Sequence, residues 1–513
     1  MAEAFKLWVH PFSAAPMVSK PQIHVVPFPF SFASSHHRTT LAIMPRVHSN
    51  LSLSNNLAAG GSEDYDGQQR QHQSLLVEAY HHTNSLKTLL AELSMKNSCP
   101  IRLLERDGDW LRDQLWVAVR FLIEEGRPAD ALKVFDAWKN KDSSRMNVAN
   151  YSKFIRLLCD ENLMDEAILI FQDMEKYGLT ASLMLYNDII HGFARKKEFD
   201  NSACFLKKVM DAGLQPMAET YHGIIRAYGT CGMYDELSKC VKQMESVGCS
   251  PNEVTYNILI VEFAQGGLVD TMEGLYRTVL SKRMNLQPST LVAMLEAYAN
   301  LGIVEKMEKV YRMVMKTNAY IKDTVVRKLA AVYIENYRFA RLEELGNDIS
   351  ARTGRTDLVW CILLLASACF LSRKGIESII REMKVAKVEF KVTFVNILAL
   401  FLLKVKDFSK LDAVLSQTGK HNRKPDIITV GILFDACRIG YDGTRILEIW
   451  RRSGFLETEA EMRTDPLVLN TFGKGLFMRD CERIFSSAGS NLKEKKHWTY
   501  HSLISLVFGK TVD

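Results

Sequence analysis

Between Tyr256 and Val279 the chain shows its pattern most plainly. Tyr256, Leu259, Ile260 and Phe263 recur at helical spacing before Gly266-Gly267 ends the run, and a second run from near Asp270 carries Met272, Leu275, Tyr276 and Val279 on one face. This predicts a pair of short amphipathic helices. The pair repeats: Ala149-Asn150-Tyr151-Ser152, Met184-Leu185-Tyr186-Asn187, Glu219-Thr220-Tyr221-His222 and Val254-Thr255-Tyr256-Asn257 each follow the last by 35 residues. A second signature keeps the same interval, in Met164-Asp165-Glu166-Ala167, Phe199-Asp200-Asn201-Ser202, Tyr234-Asp235-Glu236-Leu237 and Val269-Asp270-Thr271-Met272. A lone hairpin cannot bury both apolar faces, so neighbouring units must stack into an α-solenoid whose first helices line one surface.

With Glu253 as the first residue of its unit, repeats fall at 113–147, 148–182, 183–217, 218–252, 253–287, 288–322, 323–356, 357–391, 392–426 and 427–461. The array of about ten units thus spans 113–461, with 323–391 divergent, and 462–513 reads as degenerate repeats and a C-terminal cap opening at His497-Trp498-Thr499-Tyr500. Ahead of it, 63–112 reads as a Gly/Gln-rich linker and a capping helix over Ser74–Met95. The 513 residues, 47% hydrophobic and 24% charged, exclude a disordered or collagen-like chain. Apolar runs such as Cys361 to Leu371 are shorter than the roughly 18 residues of a spanning helix, so no membrane span is expected. A net charge of +6 is too small for a chain-wide basic footprint; a nucleic-acid surface would have to be local.

Residues 1–62 hold one acidic residue, Glu3, against Lys6, Lys20, Arg38 and Arg46, with many Ser, Pro and Phe. That is the composition of a transit peptide. Pro11, Pro16, Pro21, Pro27 and Pro29 interrupt every candidate secretory core, and the scarcity of Arg favours a chloroplast address, with the mitochondrion as the alternative.

Candidate chemistry is sparse. Cys231, Cys240 and Cys249 are regularly spaced, yet no paired His or Cys completes a metal set, and no C-x-x-C occurs among the ten cysteines. Gly509-Lys510-Thr511 has Ile504 where the leading glycine of a phosphate loop belongs. Asp165-Glu166 and Asp235-Glu236 recur at helix starts, where negative charge complements the dipole. His36-His37 and His81-His82 have no ligand partners. No catalytic residue, metal, cofactor or small-molecule substrate is expected.

The segment Glu253-Val254-Thr255-Tyr256-Asn257-Ile258-Leu259-Ile260, the Asp-containing middle signature and Lys424-Pro425-Asp426 before the next unit resemble the pentatricopeptide repeat (PPR) family, in its plain P class. Tetratricopeptide units have a different period and a Trp and Gly in the first helix, which these lack. The resemblance implies an all-α, right-handed α-solenoid of 35-residue helix-turn-helix repeats that binds single-stranded RNA, one base per repeat. Some relatives carry a zinc deaminase domain, but none of the 13 His here has Glu two residues on. In the family the fifth residue of a unit and the last before the next unit select the base, and the second packs against base faces. Carried over, the RNA-binding pairs are Ser152/Ser182, Asn187/Met217, His222/Asn252, Asn257/Gln287, Val292/Lys322 and Asn396/Asp426, with Met184, Val254 and Ile428 as base-packing residues. Asn396/Asp426 matches the uracil-preferring pair; Val292, Met217, His222 and Glu219 depart from the family's usual set. The expected role is non-catalytic RNA occupancy in plastid RNA metabolism: transcript stabilisation, splicing, processing or translation. The alternative is a protein-interaction scaffold with protein partners, and a row of Lys/Arg beside the fifth positions would separate the two.

Overall fold

The computed structural model describes residues 86–95, 98–106, 110, 112–418, 424–460, 465–487 and 498–508. The expected leader, the Gly/Gln-rich linker and Gly509-Lys510-Thr511 lie outside the described residues; of the expected capping helix, 86–93 is described and helical. Among the described residues the secondary structure is helical, apart from one antiparallel bridge between Glu459 and Thr499.

First helices begin at Val148, Leu183, Ala218, Glu253, Pro288, Asp323, Asp357, Val392 and Ile427. The chain turns the same way each time. After the first helix a left-handed residue reverses it, at Asn162, Lys197, Gly232, Gly267, Gly302, Tyr337, Leu371 and Lys406. Only glycine adopts that conformation without steric cost, so Tyr337 and Leu371 hold their turns under strain. Five of these first helices start on side-chain caps: Asn147 accepts from the Asn150 amide, Ser182 from Leu185, Asn252 from Thr255, Thr356 from Val359 and Asp426 from Thr429. Each cap satisfies an amide that the helix leaves free, a contribution of about 1 kcal/mol.

The recurrent tyrosine at the fourth position of a unit builds the core. Tyr151, Tyr186, Tyr221 and Tyr256 are all buried, and Tyr186 meets Phe171 edge-on at 5.7 Å. The hydroxyls of Tyr151 and Tyr256 each reach a second helix, donating to Asp173 at 2.7 Å and accepting from Lys282 at 2.9 Å. First helices pack against one another in sequence from Val148–Asp160 to Ile427–Cys437, and each second helix from Met164–Lys176 to Phe408–Ser416 packs on the first helix of its own unit. This leaves one stripe of the first helices from Val148 to Asn300 free.

In the last units the stripe is not free. Leu358 to Ala368, Phe394 to Leu403 and Ile427 to Ala436 are buried at every position, which accounts for the long apolar runs of this region. The added cover comes from beyond Asp465. The helix Pro466–Phe472 lies against Asp323–Glu335, Asp357–Cys369 and Val392–Lys404, and Leu476–Ser487 packs on Ile427–Cys437.

Candidate nucleic-acid interface

The second, fifth and ninth residues of a first helix share one stripe, because positions three and four apart lie on the same helical face. From Val148 to Asn300 this stripe is open. Met184 is 63% exposed and Val254 38%, and Ala149, Glu219 and Ser289 at the same position are also exposed.

Stacking brings each fifth residue to the start of the next first helix. The Asn257 side chain is 2% exposed; it accepts from the Gln287 amide at 2.8 Å and donates to the carbonyls of Asn285 and Glu253, so the expectation that it meets a base needs correction, since both its polar ends are taken within the protein. His222 is buried, with Nε2 at 2.9 Å from the Thr255 hydroxyl, and burial lowers its pKa, which keeps the ring neutral. Ser152 and Asn187 are half-buried. The Asn187 side-chain oxygen is buried without a hydrogen-bond partner. Ser182 and Gln287 are exposed and Asn252 is half-buried. The side-chain oxygens of Ser182 and Asn252 already accept a helix-start amide.

Basic side chains accompany this open stretch. Arg112, Arg120, Lys153, Arg156, Arg195 and Arg226 are all exposed on successive first helices. Lys153 stands 4.5 Å over the Trp116 ring, and its pKa is lowered by burial and by the nearby charges of Arg112 and Arg120. Asp113 opposes this lowering, so three cations gather around a single carboxylate, a setting that favours a further anion. Arg156 pairs with Asp188 at 2.8 Å, and Arg195 donates to the Cys159 carbonyl at 2.7 Å. The row ends near Glu262, whose carboxyl is pushed up to about 7 by burial, with Arg226 pulling it down.

The stripe closes toward the C-terminus. Asn396 and Asp426 do meet: the Asn396 amide donates to both carboxylate oxygens at 2.9 and 3.0 Å, and the Thr429 hydroxyl donates to the Asn396 carbonyl at 2.7 Å. Asn396 is 0% exposed and Asp426 2%. The expectation of a pair presented to a base therefore needs correction, since both polar ends of Asn396 are taken within the protein. Ile428, expected to face a base, is buried as well, against Val468, Gly473 and Gly475. At the edge of this region Arg327, the fifth residue of its unit, donates from one guanidinium nitrogen to both Asp465 oxygens at 2.8 and 2.7 Å. Asp435 in turn accepts the Leu476 and Phe477 amides at 2.8 and 2.9 Å.

Two features escaped the sequence reading. The ninth-position residues Arg156, His191 and Arg226 carry a signal that was there to find, since they recur 35 residues apart and one turn beyond the fifth position. Residues 465–475 carried none. Among the described residues no cluster of three His, Cys, Asp or Glu could hold a metal ion, and no helix is long and apolar enough to cross a membrane.

Models of known families match within the array: the PPR repeat family over 216–265, the pentatricopeptide repeat domain over 169–231, and the PPR repeat over 150–179 and 254–284. A pentatricopeptide repeat-containing protein of Arabidopsis thaliana, named as chloroplastic, is 55% identical over 430 residues, 83% of this chain and 86% of its own length. A second such Arabidopsis protein, also named as chloroplastic, is 25% identical over 97 residues, 18% of this chain and 12% of its own length. Among solved structures, the maize pentatricopeptide repeat protein PPR10 aligns at 16% identity with a TM-score of 0.39, over 77% of this chain and 60% of that one. Yeast Rmd9p in complex with a 16-nt target RNA aligns at 12% identity and a TM-score of 0.30, over 77% of this chain and 93% of that one. The helical pairs at a 35-residue period, the repeat models that match them and a relative sharing more than half its residues over most of both chains lead to one assignment: the chain belongs to the pentatricopeptide repeat family.

Proposed function

We propose that this protein binds single-stranded RNA in the plastid, along the open stripe of units 148–322, and acts on its transcript by occupancy without catalysis. The observation that carries the reading is the row Lys153, Arg156, Arg195 and Arg226 beside exposed second positions, with Arg112 and Arg120 flanking it on the preceding helix Arg112–Glu124. Phosphates take the cations while unpaired bases offer their edges to Ser152 and Asn187 and their faces to Met184 and Val254, with His222 and Asn257 buried beneath the stripe as its supports. Ser182, Asn252 and Gln287 border each of these places. A mixed or apolar groove would favour the protein-binding scaffold, and the row of cations beside the open stripe favours RNA over it. Stabilisation, splicing, processing and translation of a transcript are all served by such occupancy. The chloroplast address follows the acid-poor leader and agrees with the names of the Arabidopsis relatives.

The test is fluorescence anisotropy of labelled RNA with the full chain. Single strands should bind more tightly than duplex, and affinity should fall as salt rises, because phosphate binding releases counterions. Equal affinity for duplex and single strand, or none at low salt, would reject the reading.

A further inference from the structure

Residues 465–475 occupy the stripe that the other units leave open. Asp465 engages Arg327 at the fifth position of unit 323–356; Asn470 donates to Glu335 two turns further along the same helix at 3.4 Å. Val468, Gly473 and Gly475 then line, together with Leu400 at a ninth position and Ile428 at a second, a residual cavity of only about 20 Å³. That is room for about one water molecule. Gly475 is needed for the approach, since a Cβ there would lie 2.0 Å from an Asp435 oxygen. The contrast at one unit position is plain: Met184 and Val254 are 63% and 38% exposed, Leu358 and Ile428 only 4% and 5%. The contrast at the ninth position runs the same way, from exposed Arg156 and Arg226 to Leu365, Leu400 and Asp435, which are buried.

We infer that residues 465–475 are a built-in occupant of the groove over units 357–461, clamped at its edge by Arg327. The RNA site is therefore confined to units 148–322, and Asn396/Asp426, although it matches the family's uracil pair, reads no base. This footprint rests on the RNA-binding reading above; the closure itself does not. Closure is permanent and not a lid, because the covered stripe is apolar. Uncovering Leu358, Leu365, Leu400 and Ile428 would return four buried apolar side chains to water, which the hydrophobic effect opposes.

Two measurements on the full chain separate these statements. Val254→Cys and Ile428→Cys place a thiol at the same unit position, and maleimide labelling mapped by mass spectrometry gives the rate at each. Ile428→Cys should react at least about a hundredfold more slowly, with or without RNA; comparable rates, or acceleration by RNA, would overturn the closure. Single-stranded RNA carrying 4-thiouridine is then cross-linked. Adducts should fall on the first helices from Val148 to Asn300, and any on Asp357–Cys369, Val392–Lys404 or Ile427–Cys437 would overturn the footprint. If no RNA binds while Ile428→Cys stays protected, the RNA reading and its footprint fail and the closure stands.

Discussion

Replacing Asn396 with alanine separates structure from recognition at the position where the family's rules point to a base. The side chain is 0% exposed, and its amide donates to the Asp426 carboxylate at 2.9 and 3.0 Å. Hydrogen bonds to charged groups contribute roughly 1.5–3 kcal/mol. Asp426 keeps the Thr429 amide at 2.9 Å and its hydroxyl at 3.0 Å, so the carboxylate is weakened and not orphaned. The Thr429 hydroxyl loses its Asn396 acceptor but can turn wholly to Asp426. The expected cost is about 2–3 kcal/mol, near the middle of that range with a small cavity added. Because repeat arrays share stability mainly between neighbours, the loss should be local. Hydrogen exchange should speed up over Val392–Lys404 and Ile427–Cys437 and stay unchanged over Val148–Gln265. RNA chosen from a randomised pool should be the same for both proteins at every nucleotide. A change in one selected base, or a loss of stability below about 0.5 kcal/mol, would refute the reasoning, since a buried structural amide cannot be both silent in folding and heard in selection.

Other outcomes follow from the same geometry. Replacing Lys153, Arg195 and Arg226 together with Gln should flatten the slope of log affinity against log salt by roughly 2, since each phosphate neutralised on a single strand adds about 0.7 to it; an unchanged slope would place the phosphates elsewhere. The Glu262 carboxyl, pushed up to about 7 by burial, binds its proton more tightly folded than unfolded, so its contribution is full below about pH 4.5 and is lost as pH rises through 7. RNA affinity should fall over the same rise as a negative charge appears beside Arg226, and Glu262→Gln should remove that component of both curves, measured by urea melts and anisotropy at pH 6 and 8. Leu371→Gly should raise the stability of its turn by about 1 kcal/mol, because φ is 52° there, and a lower urea midpoint would count against strain at this residue. A reporter fused to residues 1–70 should enter plastids, with cytosolic fluorescence as the contrary result.

Much of the fold was legible without coordinates because a helical hairpin is specified locally. The interval between Tyr151, Tyr186, Tyr221 and Tyr256 encodes a core position filled by each unit in turn, and the apolar stripe with its capping residue sets the start of each helix. Pairing of a fifth residue with the residue 30 positions on was legible as well, since stacking at a fixed period fixes which residues meet. The sequence could not show whether such a pair faces solvent. Asn257 and Asn396 are the same residue at the same unit position and both are buried, yet Gln287, 30 residues after the first, is exposed and Asp426, 30 residues after the second, is buried. What decides between them is a contact such as Arg327 with Asp465, which spans 138 residues and has no period to announce it. Helix and repeat arise from near neighbours along the chain, whereas burial of the groove depends on which distant segment lies over it, and only the folded chain settles that.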